Sequence, residues 1–305
     1  MTVLTPVLIV VAIGLLCAGL LVVASKVFHV EVDERITQVR ECLAGANCGG
    51  CGFAGCDDYA AALVEDETLS CTKCAPAGAA AAEQIAEILG RSAGSMEPQV
   101  AQVMCNGVCG ASKTVLEWQG LKSCKGAKGW FSTPNACMFG CIGLGDCVNA
   151  CEFDAIGIAN GVAKVDRDAC VACGSCANVC PQSIIKLVPK KMNVHVLCSS
   201  TDKGAVARKN CDNACIGCGK CVKACNFGAI AVEDNKASID YDKCKGCGMC
   251  VTQCPTGALN TYKVMDKAAF DKLKDSTDKA IAKKAEAAKA AKAPAAEKKE
   301  EKAEK

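Results

Sequence analysis

Aromatic side chains are scarce in this sequence, 4% of its residues, and histidine is scarcer still, with two in 305. So few large rings leave little material for a wide hydrophobic core, and metal–thiolate bonds are one way to supply the missing stability. Charge of one sign is missing too: 35 basic and 33 acidic side chains are spread along the chain for a net +2. That balance excludes the basic footprint of a nucleic-acid-binding protein. No G-x-G-x-x-G follows a strand pattern and no C-x-x-C-H is present, so neither nicotinamide binding nor covalent haem is supported. "GASKT" at Gly110 lacks the glycine–lysine pair of a phosphate loop and reads as a turn. His29 and His195 are isolated, and both read as surface residues rather than ligands.

Charge is absent altogether from Met1 to Ser25, where "VLIVVAIGLLCAGLLVVA" (Val7 to Ala24) is a run of eighteen apolar residues. As helix it extends about 27 Å, enough to cross a bilayer. Met1–Pro6 carries no basic residue and "VVASKV" is a poor cleavage site, so the run predicts an uncleaved anchor over residues 1–26 rather than a signal peptide. Gly14 and Ala18, four apart, suit either close approach of another helix or simple anchoring. Cys17, inside the run, reads as a small apolar residue.

What the sequence does have is cysteine, 28 residues in all. Such density marks disulfide scaffolds in short secreted chains, but this chain is long. Its cysteines sit three or four apart in Gly-rich loops, which favours shared metal centres over crosslinks between distant strands. After a linker at 27–35, "NCGGCGFAGC" and "CTKCAPAG" bracket a short helical run, and "AAAAEQIAEILG" reads as a helix stopped by Gly90. These make a first small domain over 36–92, followed by a connecting segment at 93–123.

The second half is a duplication. Cys124, Cys137, Cys141, Cys147, Cys151, Cys170, Cys173, Cys176 and Cys180 each have a cysteine 74 positions later, from Cys198 to Cys254. Phe153, Ala155, Ile156, Asp168 and Pro181 recur at the same offset. The units are placed at 124–188 and 189–262, and each predicts a small hairpin, turning at "ANG" in the first and "EDN" in the second. From 263 to 305 the chain becomes a polar tail rich in Ala, Lys and Glu, expected to be frayed helix or disorder. The expected fold class is α+β: an N-terminal transmembrane helix, a small iron–sulfur domain, two tandem ferredoxin-like units and the tail.

Two runs of C-x2-C-x2-C-x3-C-P, at Cys170–Pro181 and Cys244–Pro255, have the spacing that holds [4Fe–4S] clusters in bacterial ferredoxins. Three thiolates on one loop reach three irons, while the fourth cysteine turns away to the neighbouring cluster. Cross-ligation then groups Cys215, Cys218, Cys221 and Cys254, and separately Cys225, Cys244, Cys247 and Cys250. In the first unit it groups Cys151, Cys170, Cys173 and Cys176. Leu144 stands where the second unit has Cys218, so the partner site is expected from Cys137, Cys141, Cys147 and Cys180. Glu152 and Asn226 replace the proline usual after the fourth cysteine without touching a ligand. Cys48, Cys51, Cys56 and Cys74 offer a fifth site, with Cys71 as the alternative to Cys74 and zinc as the competing metal. A sixth centre involving Cys105, Cys109 and Cys124 is open, as is the reading of these three as inert thiols.

The combination of an uncharged N-terminal helix, "GANCGGCGFAGC" with a distal "CAPAG", "CNGVC" at Cys105, "CMFGCIGLGDCVNACEFDAI" and paired ferredoxin motifs resembles the B-subunit family of the Rnf complexes. The likeness covers all but the tail, with Cys42 and Glu152 as small departures. It implies a component of a membrane-bound, ion-translocating ferredoxin:NAD+ oxidoreductase, with no complete catalytic site on this chain alone. Electrons would come from reduced soluble ferredoxin and pass to partner subunits. The apolar run has no ionisable residue to carry an ion, so the pump itself is expected in those partners. The expected location is the inner (cytoplasmic) membrane, with the soluble part facing the cytoplasm, because oxidising compartments threaten such thiolates. The rival readings are an iron–sulfur component of a hydrogenase or formate dehydrogenase, a zinc- or disulfide-stabilised exported binding protein, and a cluster-carrying sensor.

Overall fold

In a computed structural model, residues 4–27, 33–262, 271–273, 275–283 and 286 are described, with side chains of the first helix described from Val11 to Ala24. That helix, α1, runs Leu4–Val27. Among the described residues no helix is long and apolar enough to cross a membrane; the expected span, Val7 to Ala24, has its side chains described only from Val11 onward.

Three helices build the N-terminal domain: α2 (Glu34–Cys42), α3 (Cys56–Glu65) and α4 (Gly78–Ile88). The charged stretch expected to be linker is helical from Glu34, because Asp33 caps it, its Oδ1 accepting from the Arg35 N–H at 2.9 Å. Val39 on α2 is fully buried in one cluster with Tyr59, Leu63 and Ile85. The stop expected at Gly90 is present: Gly90 takes φ +63° and the Arg91 N–H closes back on the Ala86 carbonyl.

The remainder is two copies of one small unit. The first holds β1 (Gln99–Val103), α5 (Cys124–Phe131), α6 (Asp146–Asn149), β2 (Ile156–Ala159), β3 (Val162–Val165), α7 (Ser175–Val179) and β4 (Ile185–Pro189). The second holds β5 (Val194–Val196), α8 (Gly204–Asn210), α9 (Lys220–Ala224), β6 (Ile230–Glu233), β7 (Lys236–Ile239), α10 (Met249–Thr252) and β8 (Leu259–Thr261). Each unit pairs its opening strand antiparallel with its closing one, β1 with β4 and β5 with β8. Residues 99–103 therefore belong to the first unit, a correction to the expected connecting segment; Val100, Ala101 and Val103 are buried there.

The two expected hairpins are β2–β3 and β6–β7. Asn160 and Gly161, and Asp234 and Asn235, all have positive φ, the conformation that two-residue hairpin turns require. The tail is not uniformly solvated. Residues 275–283 are helical, Thr277 is buried, and the Gln253 amide donates to Asp278 Oδ1 at 2.6 Å. Residues 263–270, 274, 284–285 and 287–305 of the expected tail lie outside the described residues.

His195 is fully buried in β5, contrary to the surface position expected. Its Nδ1 lies 2.8 Å from the Tyr241 hydroxyl and its Nε2 3.1 Å from the Met192 carbonyl. Arg167 donates to the carbonyls of Lys190 and Met192 and lies over the Tyr262 ring, 4.9 Å from its centroid. Arg167 and Tyr241 occupy equivalent positions in the two units, so one buried imidazole fastens both copies.

Candidate metal centres

The duplicated loops deliver cysteines inward through glycine turns. Gly143 and Gly217 each press against the tip of a hairpin, where a Cβ would meet the Gly161 or Asn235 carbonyl within 3 Å. Such closeness aims Cys141 and Cys215 at the hairpin backbone, and the Ala237 N–H points at Cys215 Sγ from 3.4 Å.

In the second unit Cys215, Cys218, Cys221 and Cys254 line one pocket with Val196, Val232 and Leu259. Cys225, Cys244 and Cys247 all lie near Cys250, and burial first, then neighbouring thiols, push Cys250 up to about 12. In the first unit Cys151, Cys170, Cys173 and Cys176 line a pocket with Phe153 and Ile156. The structure brings each of these three groups of four together.

The remaining quartet of the first unit differs from expectation. Its pocket is lined by Cys124, Cys141, Cys147 and Cys180, without Cys137. Burial pushes Cys147 up to about 12, and its neighbouring thiols are Cys141, Cys124, Cys180 and Cys176. Cys124 starts α5, and the helix in the same place in the order of the second unit, α8, starts with Gly204 instead. Asp146 pins the helix there, Oδ1 accepting from the Cys124 N–H and Oδ2 from the Lys125 N–H, both at 2.9 Å. Leu144, where the second unit has Cys218, packs beside Cys124 instead.

Cys137 lies in a different pocket, with Cys105, Cys198 and Cys211, between the two units. Cys105 and Cys211 are buried and the other two half-buried. The Gly107 and Cys141 N–H groups point at Cys105 Sγ from 3.4 and 3.3 Å. A Cβ at Gly107 would lie in contact with the sulfurs of Cys105 and Cys211 at 3.5 and 3.7 Å, and one at Gly140 with those of Cys105 and Cys137 at 3.6 Å each. The geometry is pseudo-symmetric: Cys105 and Cys198 each sit two residues past an opening strand, and Cys137 and Cys211 are duplicates. The 74-residue offset pairs Cys124 with Cys198; the signal it passes over is "VMC" at Val103 against "VLC" at Val196. Cys109, for which a sixth centre and an inert thiol are both open from the sequence, is exposed and held at the hairpin tip by its N–H to the Asn160 carbonyl.

In the N-terminal domain, Cys56 opens α3 with its N–H on Asn47 Oδ1 at 2.8 Å. Cys51, Cys71 and Cys74 all neighbour Tyr59, whose hydroxyl donates to the Ser70 carbonyl at 2.8 Å. Burial raises Cys48, with Cys173 and Cys74 as its neighbouring thiols. The loop lies on the first unit: a Cβ at Gly50 would overlap the Cys173 carbonyl, and the Ser175 hydroxyl donates to the Cys48 carbonyl at 3.4 Å.

These contacts set five quartets and the N-terminal cysteine group in a row. The N-terminal set adjoins Cys173; Cys176 adjoins Cys147; Cys141 adjoins Cys105; Cys198 adjoins Cys215; and Cys221 adjoins Cys250. Among the described residues no three His, Cys, Asp or Glu side chains converge on a single-ion position. A cubane spreads its thiolates more widely than one ion does. Apolar pockets, cysteines from both ends of each motif, and N–H groups aimed at sulfur fit that demand.

Comparison with known proteins agrees in chemistry. A family described as a 4Fe-4S dicluster domain matches residues 214–258, a 4Fe-4S binding domain matches 163–186, and a putative Fe-S cluster family matches 43–76. The last covers Cys48 to Cys74, where zinc was the competing metal. The chain is 45% identical over 242 residues to the B subunit of a Na(+)-translocating ferredoxin:NAD(+) oxidoreductase complex of Acetobacterium woodii, covering 79% of this chain and 72% of that one. It is 40% identical to a proton-translocating counterpart from Clostridium ljungdahlii, over 78% of this chain and 84% of that one. The B subunit of an ion-translocating oxidoreductase complex of Methanosarcina acetivorans is 38% identical, over 76% and 88%.

Proposed function

Because the chain belongs to the B-subunit family of ion-translocating ferredoxin:NAD(+) oxidoreductase complexes, we propose that it is the iron–sulfur component that accepts electrons from reduced ferredoxin and hands them to its membrane partners. Bound [4Fe–4S] clusters supply one-electron carriers. The polypeptide's own contribution is to hold, space and insulate them. Burial raises Cys147 and Cys250 to about 12 in the bare chain, so ligation must displace their protons. Backbone N–H groups on Cys105, Cys170, Cys215, Cys225 and Cys244 tune the sulfurs.

Six sets are assigned: Cys48, Cys51, Cys56 and Cys74; Cys151, Cys170, Cys173 and Cys176; Cys124, Cys141, Cys147 and Cys180; Cys105, Cys137, Cys198 and Cys211; Cys215, Cys218, Cys221 and Cys254; and Cys225, Cys244, Cys247 and Cys250. Helix α1 anchors the chain in the membrane, with the soluble part on the cytoplasmic side. The observation that carries the reading is the unbroken row of cysteine quartets joining both units to the N-terminal domain.

Iron and acid-labile sulfide, counted on the anaerobically isolated chain, are expected at about four of each per set for six sets. Cys137→Ser and Cys211→Ser should each remove one set's iron, and the double variant no more than either alone, because they share a set. Cys124→Ser with Cys211→Ser should remove two. Additive loss on combining Cys137→Ser with Cys211→Ser overturns the assignment, and a colourless, iron-free protein overturns the function.

A further inference from the structure

The duplication lets one copy serve as the control for the other. In the first unit the Cys170–Cys176 loop already carries an iron–sulfur domain. Gly50 of the N-terminal domain closes so tightly on the Cys173 carbonyl that no Cβ fits, and Ser175 holds the Cys48 carbonyl. Cys173 is half-buried as a result.

The equivalent loop of the second unit, Cys244–Cys250, stands open. Cys247, the counterpart of Cys173, is exposed. A Cβ at Gly246 would meet nothing within 4 Å. Phe227 is 46% exposed, whereas its counterpart Phe153 is half-buried. Asn226 reaches the Met249 sulfur at 3.9 Å, placing Phe227 on the rim of this loop.

The two loops also differ in charge. Ala169 and Val171 of the covered loop are Lys243 and Lys245 in the open one, while Asp166 and Asp168 are matched by Asp240 and Asp242. Arg167 of the covered copy is Tyr241 in the open one, so the open copy carries one more positive charge, and both of its lysines are exposed where Arg167 is half-buried on the Lys190 and Met192 carbonyls. Lys243 pairs with Asp240 at 2.7 Å yet remains 63% exposed. Among the described residues Lys245 has no carboxylate within ion-pair distance. This loop also belongs to the last quartet of the row, at the end opposite the N-terminal domain.

We infer that the Cys244–Cys250 loop is the docking port for a small acidic iron–sulfur carrier, seated over Cys247 as the N-terminal domain is seated over Cys173. The inference rests on the reading that soluble ferredoxin is the donor, and adds where it lands. Lysines on the rim steer and orient the carrier, and exposed Phe227 supplies apolar contact beside the thiolate.

The test is calorimetric binding of an oxidised acidic ferredoxin to the full, cluster-loaded chain in detergent, at low and high salt. A Lys243→Glu/Lys245→Glu variant is expected to bind at least about tenfold more weakly and to lose most of the salt dependence. Its iron content and visible spectrum should be unchanged, since both side chains are exposed. A Lys125→Glu/Lys164→Glu variant, altered on the exposed surface of the first unit, should bind as the wild type does. If the wild type binds but the Lys243/Lys245 variant binds equally well, the port is wrong and ferredoxin remains the donor. If the wild type neither binds ferredoxin nor is reduced by it, both readings fall. Carbodiimide coupling that joins ferredoxin to Lys245 supports the port; coupling confined to Lys125 or Lys164 overturns it.

Discussion

His195 has no access to water, and its two ring nitrogens are already committed. The pairing puts the proton on Nε2, donated to the Met192 carbonyl, with Nδ1 accepting from the Tyr241 hydroxyl. A second proton would bring charge into a buried site beside the Arg167 guanidinium, 3.4 Å away. Burial chiefly, and that cation next, lower His195 from 6.5 to about 4, against a smaller opposing effect of the Met192 hydrogen bond. Tyr241, raised to about 12 by burial, stays neutral and adds no compensating charge. The unfolded chain therefore binds more protons than the folded one between about pH 6.5 and 4, so stability falls as pH drops through that window. At about 1.4 kcal/mol per unit, the loss from this one side chain approaches about 3 kcal/mol at pH 4. Replacing it tests the sign. In His195→Gln the stability lost relative to wild type should be largest at pH 7 and shrink toward pH 4, read from chemical unfolding under anaerobic conditions. A difference that stays constant with pH would mean the imidazole does not titrate on unfolding.

The N-terminal domain and α7 meet with no room to spare, which makes Gly50 the hinge of an element-scale prediction. Gly50→Ala must push the loop off Cys173, at a cost of about 1–3 kcal/mol as in other overpacked contacts. Amide exchange at Cys173–Ser175 should quicken while the iron count holds, and Gly129→Ala, where a Cβ meets nothing within 4 Å, should leave exchange unchanged. Unaltered exchange in Gly50→Ala would show that the two elements do not depend on each other. Elements with local causes were legible in the sequence: the Gly90 stop, both hairpin turns and the duplication all follow from residues close together in the chain or from a fixed offset along it. Those decided across the chain were not. Nothing in "EPQ" at 97–99 announces that β1 pairs with β4 some 85 residues on, since that pairing is settled by burial of Val100 and Val188. The place of Cys124 beside Cys141, Cys147 and Cys180 was not legible for the same reason. It reaches its pocket on α5, within the 31 residues that separate Cys105 from Cys137 where only 12 separate Cys198 from Cys211, and a fixed offset cannot register that insertion.

At the scale of the whole molecule, the row of quartets has one end beside α1 and one end away from it. Helix α1 stops at Val27 and α2 starts at Glu34, seven positions later, a reach of no more than roughly 25 Å at full extension. The N-terminal quartet is thus held close to wherever α1 lies. The described side chains of α1 offer nothing polar to water: Leu15, Leu16, Leu20, Leu21, Val22 and Val23 are all at least 59% exposed and point to every side of the helix. A helix apolar all round is stable only inside a protein core or a bilayer, and burying six such side chains is worth about 10 kcal/mol. The full chain made alone should therefore float with lipid vesicles and resist alkaline carbonate, whereas a chain beginning at Asp33 should stay in the aqueous fraction with its iron complement intact. A full chain that washes free of vesicles would assign α1 to a partner's surface instead of the bilayer. A shortened chain that still floats would move the membrane contact to the soluble units, and the row of quartets would then lie along the membrane rather than lead away from it.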